Sequence, residues 1–305
     1  MKTIIKKFIR KSFKLLNLPI KGTYWYKSNY DDVVKMKNWN IFNLDLVTLG
    51  SSAVKYDLDY YDFKINAANW AIAPQNTLNS FAILKNYHSF IKEGGCVLLF
   101  LCPFQGMVID YDKKYYDRYH YFLHPILIKH FNEQTLRKIR KMIENPLCGT
   151  TNLSMKAIVK KILGKDLPRY LDAKEDAQNR INGWKKEFGI ENLTDTLSRK
   201  NLMALKFNTD LLCEIVEFCK ERSLKPVFGI VPATTILKNC ITDDFMQKIF
   251  YNMIEEVQKR TEVQFMDFYR STEFETEDLY LDSFLMNKKG RKLFTTRILN
   301  DLQCL

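Results

Sequence analysis

The chain is poor in the residues that break a backbone, with 11 Gly and 8 Pro among 305 residues. Turn-rich scaffolds and flexible linkers are made largely of those two, so neither class is expected. Histidine is scarcer still: His88, His120, His124 and His130 are the whole complement. The seven cysteines (Cys96, Cys102, Cys148, Cys213, Cys219, Cys240 and Cys304) are odd in number and lack CxxC or Cys/His ligand spacing. A disulfide framework and a zinc site are therefore not expected, and a reducing, cytoplasmic compartment is. No metal or cofactor is called for. RNP-like aromatics, zinc fingers and a helix-turn-helix are missing, so nucleic-acid binding would rest on charge alone and is not expected.

The amino terminus lacks a long apolar run. In MKTIIKKFIRKSFKLLNLPIKG the longest is two residues, which neither spans a bilayer nor forms a signal-peptide core. On a helix, Ile4, Ile5, Phe8, Ile9, Phe13, Leu15 and Leu16 share a face opposite Lys6, Lys7, Arg10 and Lys14. Residues 1–22 read as a basic amphipathic helix. It either lies on an anionic membrane through residues 1–18, at the inner face of the cell membrane, or docks on its own domain.

Beyond that stretch the composition is that of a globular protein: 46% apolar, with 16 Tyr, 21 Phe and a net charge of +12. The length allows one large α/β domain or two small ones. Five short apolar runs read as buried parallel strands, at 44–49, 63–67, 96–101, 226–231 and 263–268. Helical patterns lie between them, at 76–92 (stopping at Gly94-Gly95), 205–222, 243–260 and 287–302. That alternation predicts a parallel sheet covered on both faces, spanning 40–305. From about 107 to 200 the pattern is helical and charged with no strand. It reads as an insertion over one sheet edge or as a small helical cap.

Ligands of such sheets sit beyond the carboxyl ends of the strands. The first strand runs into LGSSAVKYDLD, so Ser52 would stand at that edge with the N–H groups of a helix start beside it. Here the sequence resembles a known family. SGNH (GDSL-type) hydrolases carry Gly-Asp-Ser or Gly-Ser-Ser after their first strand. Near their end they carry Asp-x-x-His-x-Asn-x-x-Gly, which supplies the acid and base of a catalytic triad. This chain has LDSFLMNKKG there, with Asp282, Asn287 and Gly290 in place and Leu285 where the family has its histidine. The stretch LGSSAVKYDLDYYDFKINAANWAIAPQNTLNSFAILKNY is similar to a subgroup found with bacterial capsule and exopolysaccharide genes. The resemblance covers about 44–105 and 205–302.

It implies a three-layer flavodoxin-like fold with a five-stranded parallel sheet and a helical insertion. It also implies Ser52 as nucleophile, Asp282 as triad acid, and Ser52, Ala68, Asn66 and Asn69 around an oxyanion or bound substrate. Without an imidazole at 285 the hydroxyl has no base, unless the insertion delivers His120 or His124. Three readings follow. One is a serine hydrolase or transferase of O-acyl, above all acetyl, groups on a carbohydrate. The second is a pseudoenzyme serving as a binding or assembly module at the membrane surface. The third is a basic binder of polyanions.

Overall fold

The computed structural model describes residues 17–107, 109, 117–168, 170–190, 193 and 197–303. Most of the basic amphipathic stretch, residues 1–16, and Cys304 lie outside the described residues. The chain divides into two compact units, Met1–Asn40 with Asp112–Arg169, and Ile41–Tyr111 with Tyr170–Leu305. The helical insertion is thus shared: its first part belongs with the amino-terminal segment, and its last part with the sheet. No described helix is long and apolar enough to cross a membrane.

The sheet unit is α/β in class and flavodoxin-like in layering. Its strands are β1 (Leu44–Leu49), β2 (Ala67–Asn69), β3 (Ile91–Leu101), β4 (Lys225–Ile230) and β5 (Gln264–Asp267), in spatial order β2-β1-β3-β4-β5 and all parallel. The connecting helices are α1 (Ser52–Asp57), α2 (Thr77–Tyr87), α3 (Ala173–Phe188), α4 (Arg199–Lys220), α5 (Thr235–Lys238), α6 (Asn252–Arg260) and α7 (Lys288–Asp301). α2 and α6 pack on α4, while α1 packs on α7, which gives helical layers around the sheet. The apolar runs of β1 and β3 are almost wholly buried because both their faces are covered, as a central parallel strand requires. Phe100 of β3 meets Phe294 of α7 at 5.5 Å, and Phe268 and Phe274 complete that aromatic cluster.

Several expected boundaries move; the helix expected over 205–222, for one, begins at Arg199. The second strand is 67–69, not 63–67. Backbone bonds pin it, Asp45 N–H to Asn66 O at one end and Trp70 N–H to Thr48 O at the other, and they outweigh the alternation of FKINA. The helix expected over 76–92 ends at Tyr87, followed by a 3-10 turn, and Ile91 already pairs with Leu44. Gly94, at φ +72°, lies within β3, near the register shift opposite Leu44–Leu46, and terminates no helix.

The second unit is helical, built on Tyr24–Lys37, Glu133–Glu144 and Thr151–Ile162. Tyr26, buried on the first of these helices, donates from its hydroxyl to the Ile143 carbonyl (2.8 Å) on the second. No strand occurs there among the described residues.

Gly50 sets the entry to α1. Its φ is +153°, and a Cβ on it would lie 2.5 Å from Val54 Cγ2 and 3.0 Å from the Phe100 carbonyl oxygen. Both strain and overlap oppose any side chain there. Gly50→Ala is expected to lower stability by about 2–4 kcal/mol in urea unfolding; an unchanged midpoint contradicts this account of the turn.

Candidate functional site

The Gly-Ser-Ser turn gives its two hydroxyls different environments. Ser51 is the buried N-cap residue of α1, and its Oγ accepts the Gln75 N–H (3.2 Å), which ties the loop after β2 to the turn. Ser52 opens α1 at the carboxyl end of β1 and is partly exposed; its hydroxyl has no hydrogen-bond partner among the described residues. It is the hydroxyl available to a ligand.

Among the described residues of the sheet unit, no base is hydrogen-bonded to it. His88 follows α2, where Nδ1 lies 3.0 Å from the Lys85 carbonyl oxygen and the ring meets Phe218 edge-on. His120 and His124 belong to the helical unit and are engaged inside it. His120 is buried, accepts the Asn132 N–H at Nε2 (3.2 Å) and stacks on Phe131. His124 accepts the Ile126 N–H at Nδ1 (3.4 Å) as the N-cap of a short 3-10 turn.

The residues expected around an oxyanion are dispersed. Asn66 precedes β2 at the amino edge of the sheet, the end opposite Ser52, and its Nδ2 donates to the carbonyls of Phe42 and Asn43. That corrects its assignment: a residue before a parallel strand cannot reach the edge at which that strand ends. Ala68 sits mid-strand, in register with Val47 and buried. Asn69 is at the right edge, but Nδ2 donates to the Val54 (2.8 Å) and Leu58 (3.3 Å) carbonyls, so it braces α1. Cys102, after β3, is partly buried, and burial pushes its thiol up to about 12, with Asp57 opposing ionisation further. It is a thiol at neutral pH, not a nucleophilic thiolate.

The Asp282 carboxylate, expected as a triad acid, is fully employed. Asp282 Oδ1 accepts the N–H groups of Phe284 (2.9 Å) and Leu285 (2.7 Å), closing an Asx turn. Its Oδ2 accepts from Arg180 Nη2 (3.1 Å). Arg180 comes from α3, and its Nε donates to Asp176 Oδ2 at 2.6 Å one helical turn earlier. The same Asp176 oxygen accepts the Ser283 N–H and hydroxyl. On the other side of the turn, the Ser283 carbonyl accepts from Thr234 Oγ1 (2.8 Å), just after β4. The guanidinium also lies over the Phe284 ring, and Trp184 and Phe188 of α3 pack on Phe104 beyond β3. α3 therefore covers the carboxyl ends of β3 and β4 with its apolar face and a bridging arginine.

Asp57, the last residue of α1, holds the turn from beneath by accepting the Met286 N–H at Oδ1 (2.7 Å). It is fully buried, and its Oδ2 has no partner among the described residues. Burial raises its pKa well above the usual carboxylate range, and Asp282 adds to that; the Met286 N–H, Arg291 and Arg180 oppose it. Burial on this scale favours the protonated form of the carboxyl.

Asp176, Arg180 and Asp57 were not singled out from sequence. The (i, i+4) spacing of Asp176 and Arg180 on a helical pattern was a signal, but it is equally that of any surface ion pair. Neither a family model nor a curated protein matches this chain.

Two consequences are measurable. Arg180→Met strands two carboxylates that are 12% and 6% exposed, so it should cost about 2–4 kcal/mol, with partial recovery when Asp282→Asn is added. Strictly additive losses in urea unfolding would show that no bridge exists. Asp57 has a folded pKa above its unfolded value, so its contribution to stability is complete below the unfolded value, about 4, and is lost as pH rises toward the folded one. Asp57→Asn keeps the acceptor and removes the ionisation. Its stability relative to wild type should therefore increase between pH 4 and pH 7; a pH-independent difference would mean that Asp57 is charged in the fold.

Proposed function

We propose that this chain is a catalytically silent SGNH-like protein, an α/β module that binds a carbohydrate or an O-acylated glycan without cleaving it. The observation that carries the reading is the engagement of Asp282. A triad acid acts by orienting an imidazole and stabilising its charged form. Here one oxygen of that carboxylate is held by two backbone N–H groups and the other by a guanidinium, while position 285 is a leucine. An arginine cannot take a proton from serine, because its guanidinium stays charged at any working pH. Loss of a triad member costs about 10⁴-fold or more in rate. The tie to bacterial surface polysaccharides rests on the resemblance of residues 44–105 to proteins of such gene clusters.

A second reading, an O-acyl hydrolase or transferase, is favoured by one observation: Ser52 is partly exposed at the sheet's carboxyl edge with an uncommitted hydroxyl.

p-Nitrophenyl acetate hydrolysis separates the two readings. The silent module turns it over at the background rate, and Ser52→Ala changes nothing. Turnover that disappears in Ser52→Ala would overthrow the proposal in favour of the enzyme, and His120 and His124 would be the first residues to replace.

A further inference from the structure

The helical unit carries a surface that the Ser52 site does not use. Helix Thr151–Ile162 turns Ser154 and Ala157 inward, both buried, with Ser154 Oγ donating to the Pro146 carbonyl (2.8 Å). On its outer face stand Met155, Val159 and Ile162, continued by Leu163, at i, i+4, i+7 and i+8. They are 48%, 50%, 78% and 62% exposed, and Leu167 beyond the helix is 73% exposed. A stripe of this kind on a surface helix ordinarily faces a core; here it faces outward.

Its borders are cationic. Lys156, Lys160, Lys161 and Lys165 are exposed along residues 151–167, which contain one carboxylate, Asp166. Asp166 accepts the Tyr24 N–H (2.8 Å), and Lys161 donates to the Gly22 carbonyl (2.9 Å). Lys156, Lys160 and Lys165 make no ion pair among the described residues, whereas Arg260 and Arg297 on the sheet unit are paired with carboxylates. The two bonds through Asp166 and Lys161 also hold the chain that follows the basic amino-terminal stretch against this end of the helix.

We infer that helix Thr151–Ile162 and the turn after it form a docking face for an anionic lipid surface. Met155, Val159, Ile162 and Leu163 would enter the headgroup–acyl boundary, while Lys156, Lys160 and Lys165 meet lipid phosphates. Charge complementarity selects this occupant. Apolar side chains alone would suit a second copy of the chain, but the flanking lysines of two like faces would repel one another, whereas an anionic interface rewards both features at once.

Flotation of the full chain with vesicles tests the inference. Wild type should float with phosphatidylglycerol–phosphatidylcholine vesicles, stay behind with pure phosphatidylcholine, and release at high salt. Val159→Glu/Leu163→Glu and, separately, Lys156→Ala/Lys160→Ala/Lys165→Ala should each lower partitioning by roughly a hundredfold, with unchanged thermal unfolding, since every altered side chain is exposed. The inference falls if wild type does not float, or if both variants float as it does, which would leave residues 1–16 as the anchor. It falls equally if Val159→Glu/Leu163→Glu turns a dimer into a monomer without changing flotation, since the face would then be a contact between copies.

Discussion

One guanidinium joins the parts of the sheet unit that surround its carboxyl edge. Arg180 reaches Asp176 on its own helix and Asp282 on the turn before α7, and Asp176 in turn holds Ser283. A charge shared between two nearly buried carboxylates is costly to break, because each partner left alone has lost its hydration. The position of α3, the conformation of residues 282–286 and the aromatic contacts among Phe104, Trp184, Phe188 and Phe284 are coupled through that bridge.

The same bridge explains how the Asp-x-x-x-x-Asn-x-x-Gly pattern has a use without an imidazole. Asp282 closes a turn on two backbone N–H groups. Asn287 caps α7, its Oδ1 accepting from Lys289 and Gly290 while Nδ2 donates to the Asp278 carbonyl (2.7 Å). Gly290 admits the Leu279 carbonyl oxygen to 2.2 Å from where a Cβ would stand. Each of these contacts fixes a local conformation.

On the sheet unit, Arg260 and Arg297 are paired with carboxylates, and the polar groups at the strand ends are largely tied to one another. On the helical unit, apolar side chains and unpaired lysines stand side by side on one helix.

Strand–helix alternation was legible because a parallel sheet covered on both faces demands continuous apolar runs, and four of the five strands lie where those runs are. β2 was misplaced by a few residues, since its position is set by pairing with β1 and not by its own three residues. The place of Ser52 was legible too, from a glycine and two serines directly after β1. What the sequence could not disclose was the state of Asp282 and Asp57. The guanidinium that takes up the Asp282 carboxylate comes from a helix 102 residues away. The upward shift of the Asp57 pKa comes from burial by elements distant along the chain. Local propensity is written in neighbouring residues, whereas desolvation and charge pairing depend on which distant groups the fold brings within a few ångströms.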